Sequence, residues 1–295
     1  MKIIQPKVEL WRQGEDAKKH VVRCARICYR RNSGNDDATY NHLIKSHHYS
    51  VFRHETVYCI VDCKTNKDVI IDLLLPYTKC LLIKWIYYED YIYIATNGNF
   101  LLDISEKDTD LYDVLVNCRV TEVEFLSDRN AFERLARWTF CIDTQISTSR
   151  ELNRVSPNNI VEQSTRYVYE DGTICRPHWL NGWNISETLN GKYVIYKNGK
   201  EDEDVNHKVL TYIHSCRSSF DNYKYLIKAG LNRQDARGVL PIDTATRCAY
   251  TYSIEEWRAI IDLRYYGVTG VPHPNAKIIA GMIRNELIAL GYEFR

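Results

Sequence analysis

Residues 64–106 are dense in β-branched and aromatic side chains, which limits the structures that this part of the chain can form. The runs VIIDLLL, CLLIKWIYY and YIYIAT lie within it, and Asn97-Gly98-Asn99 is a candidate turn after the last run. Runs of this kind, bounded by turn residues, are typical of β-strands. We therefore predict a small sheet or hairpin here, as a partly β-rich insertion over residues 64–136.

Helical patterns lie on both sides of the β-rich stretch. Residues 15–30 place small or apolar side chains at the spacing of an amphipathic helix. Ser253 and Glu256 have the spacing of a capping box, which predicts a helix that begins at Ser253. Residues 107–138 are predicted to be helical, especially 131–138. Further helices are predicted over residues 147–155 and 205–229 and after Pro274, with strands over residues 56–63 and 140–144.

The charge balance and the lack of long apolar runs exclude several classes of protein. Lys plus Arg total 39 against 38 Asp plus Glu, so the chain has no net field that would hold a long polyanion or an anionic membrane. No apolar run approaches the ~20 residues of a transmembrane helix, and the first residues lack the apolar stretch of a signal peptide. We therefore expect a cytoplasmic protein with neither a nucleic acid nor a membrane as its partner.

The ten cysteines are scattered along the chain. Without an export signal, reduced thiols are expected rather than a disulfide framework. Cys24 and Cys28 are four positions apart, as are Cys59 and Cys63, but no clustered partner ligands complete a zinc pattern. The sequence therefore predicts no metal site.

Three polar residues alternate in the segment that ends at Tyr167. In an extended chain Glu162, Ser164 and Arg166 would project from one face. The hydroxyl and the guanidinium can donate to phosphate oxygens, and the carboxylate can accept from the hydroxyl or imide groups of a nucleotide. A surface strand with solvated side chains explains the same spacing, so the pattern alone leaves both interpretations open.

Residues 150–167, RELNRVSPNNIVEQSTRY, resemble the signature of flavin-dependent thymidylate synthases, which reads Arg-His-Arg, seven residues and then Ser. Arg154 matches the first Arg and Ser164 the Ser, whereas Val155 and Ser156 stand where the family has the His and the second Arg. Five further blocks resemble the family in the same order, over residues 25–29, 47–54, 235–241, 252–264 and 273–275. The resemblance omits mainly residues 64–136 and 180–200, and it predicts one elaborated domain over residues 1–295.

The resemblance implies an α+β fold, with a mixed or antiparallel sheet flanked by helices, and a homotetramer. It also implies roles for the residues at matching positions. The nucleotide would be bound by Glu151, Arg154, Glu162, Ser164, Arg166 and Arg237. Arg264 would be catalytic, since it would lie over the pyrimidine carbonyl and stabilise negative charge there.

A flavin and a folate are the other ligands that the resemblance implies. The residues around them would be His48, Ser50, His54, Ser156, Ser253, His273 and Asn275. A structural role explains a lone histidine equally well, and a helix cap explains Ser253. FAD would be the cofactor, with methylenetetrahydrofolate and NADPH as cosubstrates.

The family activity, reductive methylation of dUMP to dTMP, is the first functional hypothesis. The cysteine-dependent synthases are disfavoured because the chain has Arg176-Pro177-His178 but no Pro-Cys-His motif. The exchanges at Val155 and Ser156 keep two alternatives open. One is a related transferase that acts on UMP or leaves a hydroxymethyl group on carbon 5, and the other is a nucleotide-binding protein without catalysis.

Overall fold

The structure is a computed structural model, and it describes residues 1–31, 33–154, 159–187, 193–201 and 207–295. Its strands are β1 (Lys2–Ile4), β2 (Lys7–Trp11), β3 (Thr56–Asp62), β4 (Lys84–Tyr88), β5 (Tyr91–Asn97), β6 (Arg119–Val120), β7 (Arg137–Gln145), β8 (Ile160–Glu162), β9 (Thr173–Cys175), β10 (Trp183–Glu187), β11 (Tyr193–Lys197), β12 (Lys200–Glu201) and β13 (Ala245–Ser253).

Its α-helices are α1 (Ala17–Ile27), α2 (Asp36–Lys45), α3 (Lys67–Leu74), α4 (Gly98–Ile104), α5 (Thr109–Asn117), α6 (Glu122–Ser127), α7 (Arg129–Leu135), α8 (Ile146–Asn153), α9 (His207–Lys228), α10 (Arg233–Ala236), α11 (Ile254–Ile261) and α12 (Pro274–Ala289). A 3-10 helix spans Tyr49–His54, and a π-helical turn spans Asp262–Tyr266 directly after α11.

The sheet that carries the predicted site has four antiparallel strands in the order β2-β7-β13-β8. β7 and β13 are its central strands and pair along their whole length, from Arg137 opposite Ser253 to Gln145 opposite Ala245. Because strand side chains alternate between the two faces, this register gives the sheet two separate apolar faces. Each apolar face must therefore pack against other elements to be shielded from water.

Helices cover both faces of this sheet. On one face Phe140 and Ile142 of β7 pack with Trp257 of α11 and Ile279 of α12. On the other face Cys141 and its neighbours pack with α1 and the 3-10 helix. The predicted α+β fold, with an antiparallel sheet flanked by helices, is confirmed.

A second antiparallel sheet, in the order β4-β5-β3-β6, forms within residues 56–120. Its apolar face has Val57, Ile92 and Ile94 buried, and α3 and α5 cover it with Ile70 and Leu111 among others. The predicted strands over residues 56–63 and 91–96 are present. That this part is an insertion, and that the chain is one domain, remain predictions.

Three local predictions in this part of the chain are wrong. VIIDLLL is not a strand but most of α3, where Ile70 and Leu74 are buried one helical turn apart. Asn97-Gly98-Asn99 is not a hairpin turn, because the Asn97 side chain caps α4 by accepting from the Phe100 N–H at 3.0 Å. The helix predicted over residues 131–138 ends at Leu135, where the chain extends into β7.

The helices with local start or stop signals agree with prediction. Ser253 and Glu256 form a complete capping box at the start of α11. α9 ends before Gly230, which has a φ of 96° and lets the chain leave the helix. Among the described residues, no helix is both long enough and apolar enough to cross a membrane, and each of the ten cysteines is a free thiol.

A chain of hydrogen bonds runs through the middle of the β2-β7-β13-β8 sheet. The Thr139 and Thr251 hydroxyls lie 2.7 Å apart on the paired central strands. His20 of α1 contacts Thr139 through Nε2 at 3.1 Å, and His54 contacts Thr251 through Nδ1 at 2.8 Å. Burial lowers the pKa of His20 to about 4 and that of His54 to about 3, so both imidazoles are neutral at pH 7.

Candidate functional site

The predicted site begins where β7 turns into α8. Gln145, the last residue of β7, is buried, and its Oε1 accepts from the Thr148 hydroxyl at 2.7 Å while its Nε2 donates to the Arg176 carbonyl at 2.9 Å. The buried side chain of Leu152 holds the far end of α8 on the sheet. The polar residues of α8 are therefore fixed relative to the strands.

Glu162, the last residue of β8, is bound by two hydroxyl groups. Its Oε1 accepts from Ser149 of α8 at 2.8 Å and from Thr246 of β13 at 3.0 Å. Burial raises the pKa of Glu162, and the two hydroxyl donors oppose that rise because they favour the ionised form. The carboxylate is thus fixed in position and partly shielded from water.

The chain turns directly after Glu162, so the prediction of an extended face through Arg166 is wrong. Ser164 donates its backbone N–H to the Cys28 carbonyl at 3.1 Å and accepts two backbone bonds, from Tyr167 at 3.2 Å and Val168 at 2.9 Å. The Ser164 hydroxyl oxygen also accepts from the Arg166 N–H at 3.3 Å. Serine side chains form such turns readily, and here the turn replaces the strand hydrogen bonds that an extended chain would make.

The segment after α9 packs on this turn. Arg237 donates through Nη1 to the Thr165 hydroxyl at 3.0 Å, and Arg233 donates to the Tyr167 carbonyl. Arg166 and Arg237 are both exposed. Three of the predicted nucleotide-binding residues, Ser164, Arg166 and Arg237, are thereby brought to one small area, which we call the phosphate turn.

The predicted catalytic residue, Arg264, lies in the π-helical turn after α11 and contacts Glu151 of α8. Its Nε donates to the Glu151 carbonyl at 3.0 Å, and its Nη1 lies 3.3 Å from Glu151 Oε2. The other carboxylate oxygen of Glu151 lies 3.9 Å from Nη1 of Arg154. Glu151 therefore holds two cations, of which Arg264 is the less exposed.

Glu162 connects the phosphate turn to the part of the site that contains Glu151 and Arg264. It is two residues before Ser164 of the phosphate turn, and its partner Ser149 is two residues before Glu151 on α8. Val155 and Ser156, where the sequence departs from the family signature, lie outside the described residues. The described part of the site therefore has two carboxylates, a hydroxyl-rich turn and the four predicted arginines.

The residues predicted to surround a flavin and a folate differ in how accessible they are. His48, Ser50 and His273 are exposed. His54 is fully buried, and Ser253 is 2% exposed because its side chain caps α11.

Asn275 is also buried, and its Oδ1 accepts from the His178 backbone N–H at 2.7 Å. His273 caps α12, since its Nδ1 accepts from the Asn275 N–H at 3.2 Å. Ser156 lies outside the described residues. Contact of these residues with a cofactor remains a prediction, and His54 has no exposed surface to offer one.

The fit of a flavin to this chain is therefore partial. Three exposed side chains, His48, Ser50 and His273, can donate to or accept from a cofactor. Ser253 and Asn275 use polar atoms within the protein instead, and His54 uses Nδ1 there while its buried Nε2 has no partner among the described residues. A described cavity of about 590 Å³ is lined by none of these six residues.

Several residues of the site were not identified from the sequence. Ser149 and Thr246 hold Glu162, and Thr165 and Arg233 join the phosphate turn to the segment after α9. The run Ser147-Thr148-Ser149 on a predicted helix was the one available signal, because three consecutive hydroxyl residues are unusual in a helix interior. The other contacts join residues far apart in sequence.

Comparisons with solved structures yield distant similarities. A search of curated protein sequences finds no match. Two solved structures of PolB, a UMP/dUMP methylase from Streptomyces cacaoi, are similar over 98% of this chain. The one bound with 5-Br dUMP has 15% identity, a TM-score of 0.46 and 93% of its chain covered. The one bound with 5-Br UMP has 16% identity, a TM-score of 0.45 and 92% covered.

A family model matches the part of the amino-acid sequence that contains the site. The family model described as thymidylate synthase complementing protein matches residues 129–281, slightly more than half of the 295 residues. The match includes α8, β8, the phosphate turn and the turn that carries Arg264, and it excludes the whole second sheet. The chain belongs to the thymidylate synthase complementing protein family, the flavin-dependent thymidylate synthases.

Proposed function

We propose that this protein transfers a one-carbon unit to carbon 5 of a uridine-type nucleoside monophosphate, with dUMP as substrate and dTMP as product. The observation that carries the proposal is the position of Glu162. Its carboxylate is held by two hydroxyl groups, and the phosphate turn begins two residues later. A fixed acceptor beside a cluster of phosphate donors suits a nucleotide with an imide N–H at one end and a phosphate at the other.

The phosphate turn would bind the nucleotide phosphate. Arg166 and Arg237 are exposed cations on this turn, and Ser164 adds a hydroxyl donor. Charge-assisted hydrogen bonds from guanidinium groups are short and strong, and their planar fork matches two phosphate oxygens. The contact of Arg237 with Thr165 restrains one of the two guanidinium groups before the ligand arrives.

Glu162 and Arg264 would act at the pyrimidine. An ionised Glu162 can accept from the imide N–H, and Arg264 can donate to a ring carbonyl. Activation of carbon 5 places negative charge on the ring oxygens, which a fixed cation stabilises. Arg264 is restrained for this role by its two contacts with Glu151.

The family resemblance supports FAD as the cofactor, with methylenetetrahydrofolate as the carbon donor and NADPH as the reductant. The flavin would supply the reducing equivalents for methyl formation. His48, Ser50 and His273 are the exposed residues of this chain that would contact it. A cytoplasmic homotetramer is part of the same proposal.

The exchange of His and Arg for Val155 and Ser156 favours a related transferase as the second candidate. Neither residue can donate the charge-assisted hydrogen bonds of the family signature. The nucleotide-facing residues of the signature are retained, whereas its two cofactor-facing residues, Val155 and Ser156, differ. Transfer to UMP, or transfer that leaves a hydroxymethyl group, would keep the first set and alter the second. A protein that binds the nucleotide without catalysing a reaction would also keep the nucleotide-facing residues and alter the cofactor-facing ones.

Titration of dUMP into the Arg166→Ala variant tests the nucleotide site. Loss of the exposed guanidinium should weaken binding about tenfold or more, since hydrogen bonds to charged groups contribute about 1.5–3 kcal/mol. Arg134→Ala is the matched control, because Arg134 is also exposed and lies outside the proposed site. Unchanged dUMP affinity in Arg166→Ala would contradict the assignment of the phosphate turn.

Flavin uptake separates the enzyme from the binding protein. The purified chain is titrated with FAD with and without dUMP, and a flavin band near ~450 nm that responds to dUMP is expected. Product analysis after addition of methylenetetrahydrofolate and NADPH, with dUMP or UMP as acceptor, then identifies the substrate and the group transferred. Binding of dUMP with no flavin uptake would instead indicate a non-catalytic relative.

A further inference from the structure

The 590 Å³ cavity lies between the N-terminal strands, the second half of α1 and one end of the β2-β7-β13-β8 sheet. Seven basic side chains line it, together with two acidic ones, Asp143 and Glu170. The basic residues are Lys2, Lys7, Arg23, Arg26, Arg30, Arg31 and Arg247. We call it the arginine-lined cavity. It contains none of the predicted nucleotide-binding residues, but it shares Thr246, whose hydroxyl binds Glu162.

Four of these cations are neutralised by carboxylates. Arg247 makes two bonds of 2.7 Å to Asp143, and Arg26 lies 2.6 Å from Asp36. Arg30 lies 3.3 Å from Asp171, and Lys7 pairs with Glu9. When the three partners outside the lining are counted with Asp143 and Glu170, five carboxylates face seven cations. The arginine-lined cavity keeps a formal excess of two positive charges.

The remaining cations have no ion-pair partner among the described residues. These are Lys2, Arg23 and Arg31. Arg23 is half-buried, stacks on Trp11 at 4.1 Å, and has a buried Nε without a hydrogen-bond partner in the described part of the chain. Lys2 and Arg31 are exposed, whereas Arg23 is partly desolvated, and a concave site that gathers unpaired cations favours the entry of an anion.

We propose that the arginine-lined cavity binds an organic phosphate carrying two negative charges. Two charges match the excess of the lining, and Lys and Arg side chains are the usual phosphate donors of proteins. The volume lies in the range of small-molecule sites, about 300–1,000 Å³, and exceeds what a free phosphate ion fills. Ile4, Trp11 and Ile27 give the organic part an apolar contact.

This second site adjoins the strand that ends at Glu162. Gln163 lines the cavity, donates through Nε2 to Glu170 at 3.1 Å and donates its backbone N–H to the Arg247 carbonyl at 2.9 Å. Its neighbours Glu162 and Ser164 belong to the proposed nucleotide site. An anion bound among the arginines would therefore contact the back of the segment that binds the nucleotide, which makes it a candidate effector site.

The test is calorimetric titration of the full chain with AMP, with inorganic phosphate and with citrate. AMP should bind more tightly than inorganic phosphate, and binding should weaken as salt is raised. Inorganic phosphate that binds as tightly as AMP would overturn the organic part of the proposal. Citrate that binds as tightly as AMP would overturn the assignment to a phosphate.

Two double variants locate the binding. Lys2→Ala/Arg31→Ala removes two unpaired cations of the lining and should weaken AMP binding about tenfold or more. Lys19→Ala/Lys45→Ala removes the same charge from exposed positions outside the cavity and should change the affinity less than about twofold. Equal losses in both variants would indicate a general charge effect and overturn the site.

AMP could also enter the proposed nucleotide site, so the Arg166→Ala variant is titrated as well. Binding that survives Arg166→Ala and is lost in Lys2→Ala/Arg31→Ala supports the second site. Binding lost only in Arg166→Ala overturns it and leaves the proposed function intact. If the unaltered chain bound AMP but not dUMP, the proposed function would be contradicted and the second site would be left intact. The two proposals can therefore fail separately.

Discussion

Glu151 contacts the guanidinium of Arg264 through two different oxygens, its carbonyl at 3.0 Å from Nε and its carboxylate at 3.3 Å from Nη1. The first contact depends only on the position of α8, whereas the second depends on the side chain. The same carboxylate faces the more exposed Arg154 at 3.9 Å. Glu151 therefore restrains Arg264 and also lowers the positive charge that an anionic substrate meets.

Glu151→Gln separates these two effects. We expect dUMP to bind more tightly, by a factor of a few, because the variant removes a negative charge while the partly exposed ion pair contributes no more than about 1 kcal/mol. We expect kcat to fall if Arg264 needs the carboxylate to stay in place, because the carbonyl contact alone leaves the guanidinium freer to turn. Binding is measured by calorimetry and turnover by product formation.

Glu106→Gln is the matched control, since Glu106 is an exposed carboxylate outside the proposed site. It should change neither binding nor turnover. Weaker dUMP binding in Glu151→Gln would mean that the Glu151 carboxylate contacts the nucleotide directly, which is the role implied by the family resemblance.

Ser149→Ala should shift the pH dependence of nucleotide binding. The Ser149 hydroxyl donates to Glu162 and favours its ionised form, so its loss should raise the pKa of Glu162 beyond the rise that burial already causes. Because the ionised carboxylate accepts the imide N–H, dUMP affinity should then begin to fall at a higher pH as the solution is acidified. Affinities measured between pH 5 and 8 test this shift.

Ser147→Ala on the same helix serves as the reference, because its hydroxyl contacts Asp243 instead. A pH profile of Ser149→Ala that coincides with that of Ser147→Ala would show that Glu162 does not control binding.

The parts of the fold that the sequence predicted are those with local signals. The capping box at Ser253 and the left-handed Gly230 mark helix ends through residues a few positions apart, and both agree with the structure. The strand prediction for VIIDLLL is wrong because a short apolar run suits a buried helix as well as a buried strand. Its choice of a helix depends on packing against the second sheet, which no local pattern records.

The residues of the site also divide into those that the sequence identifies and those that depend on contacts between distant parts of the chain. Ser164 and Arg237 could be identified by family resemblance, but their grouping depends on the contact of Arg237 with Thr165, 72 residues apart. Thr246 reaches Glu162 across 84 residues. Contacts of this kind follow from strand register and helix position, so a single sequence does not reveal them.

Acid should destabilise the protein through its two buried histidines. The pKa of each is lowered by burial, His20 to about 4 and His54 to about 3, whereas in the unfolded chain both are near 6.5. Between pH 7 and pH 4 the unfolded chain therefore binds more protons than the folded chain, and stability falls as the pH falls. The expected loss from pH 7.5 to pH 5 is roughly 2 kcal/mol for each histidine.

Urea unfolding at the two pH values measures this loss. The pH 7.5 to pH 5 difference should be smaller in His20→Gln and in His54→Gln than in the wild type, and unaltered in His42→Gln, whose side chain is exposed. An equal pH dependence in all four proteins would contradict the neutral, buried state of the two imidazoles.

Gly98→Ala should destabilise the second sheet. A Cβ at Gly98 would lie 2.3 Å from Glu55 Oε2 and 3.2 Å from Glu55 Cβ, so the buried Glu55 side chain would have to move. That movement would disturb its ion pair with Arg119, which measures 3.1 Å. A loss of about 1–3 kcal/mol in the free energy of unfolding is expected from such overpacking.

Gly238→Ala is the comparison for unfolding stability, since a Cβ there would meet nothing within 4 Å. Equal stability of the two variants, measured by urea unfolding, would show that Glu55 can leave its position at little cost.

The polarity of the hydrogen-bond chain through Thr139 and Thr251 follows from the contact between Arg23 and His20. A guanidinium can only donate, so when Arg23 donates to His20 Nδ1 at 3.1 Å, His20 carries its proton on Nε2. His20 must then donate to Thr139, Thr139 to Thr251, and Thr251 to His54 Nδ1.

The proton of His54 is therefore on Nε2, an atom with no partner among the described residues. A cation at the rim of the arginine-lined cavity thus sets the tautomer of an imidazole at the opposite end of the chain of hydroxyls. If an anion drew Arg23 away from His20, the three hydrogen bonds from His20 to His54 could reverse together, and the His54 proton would pass to the nitrogen that faces Thr251.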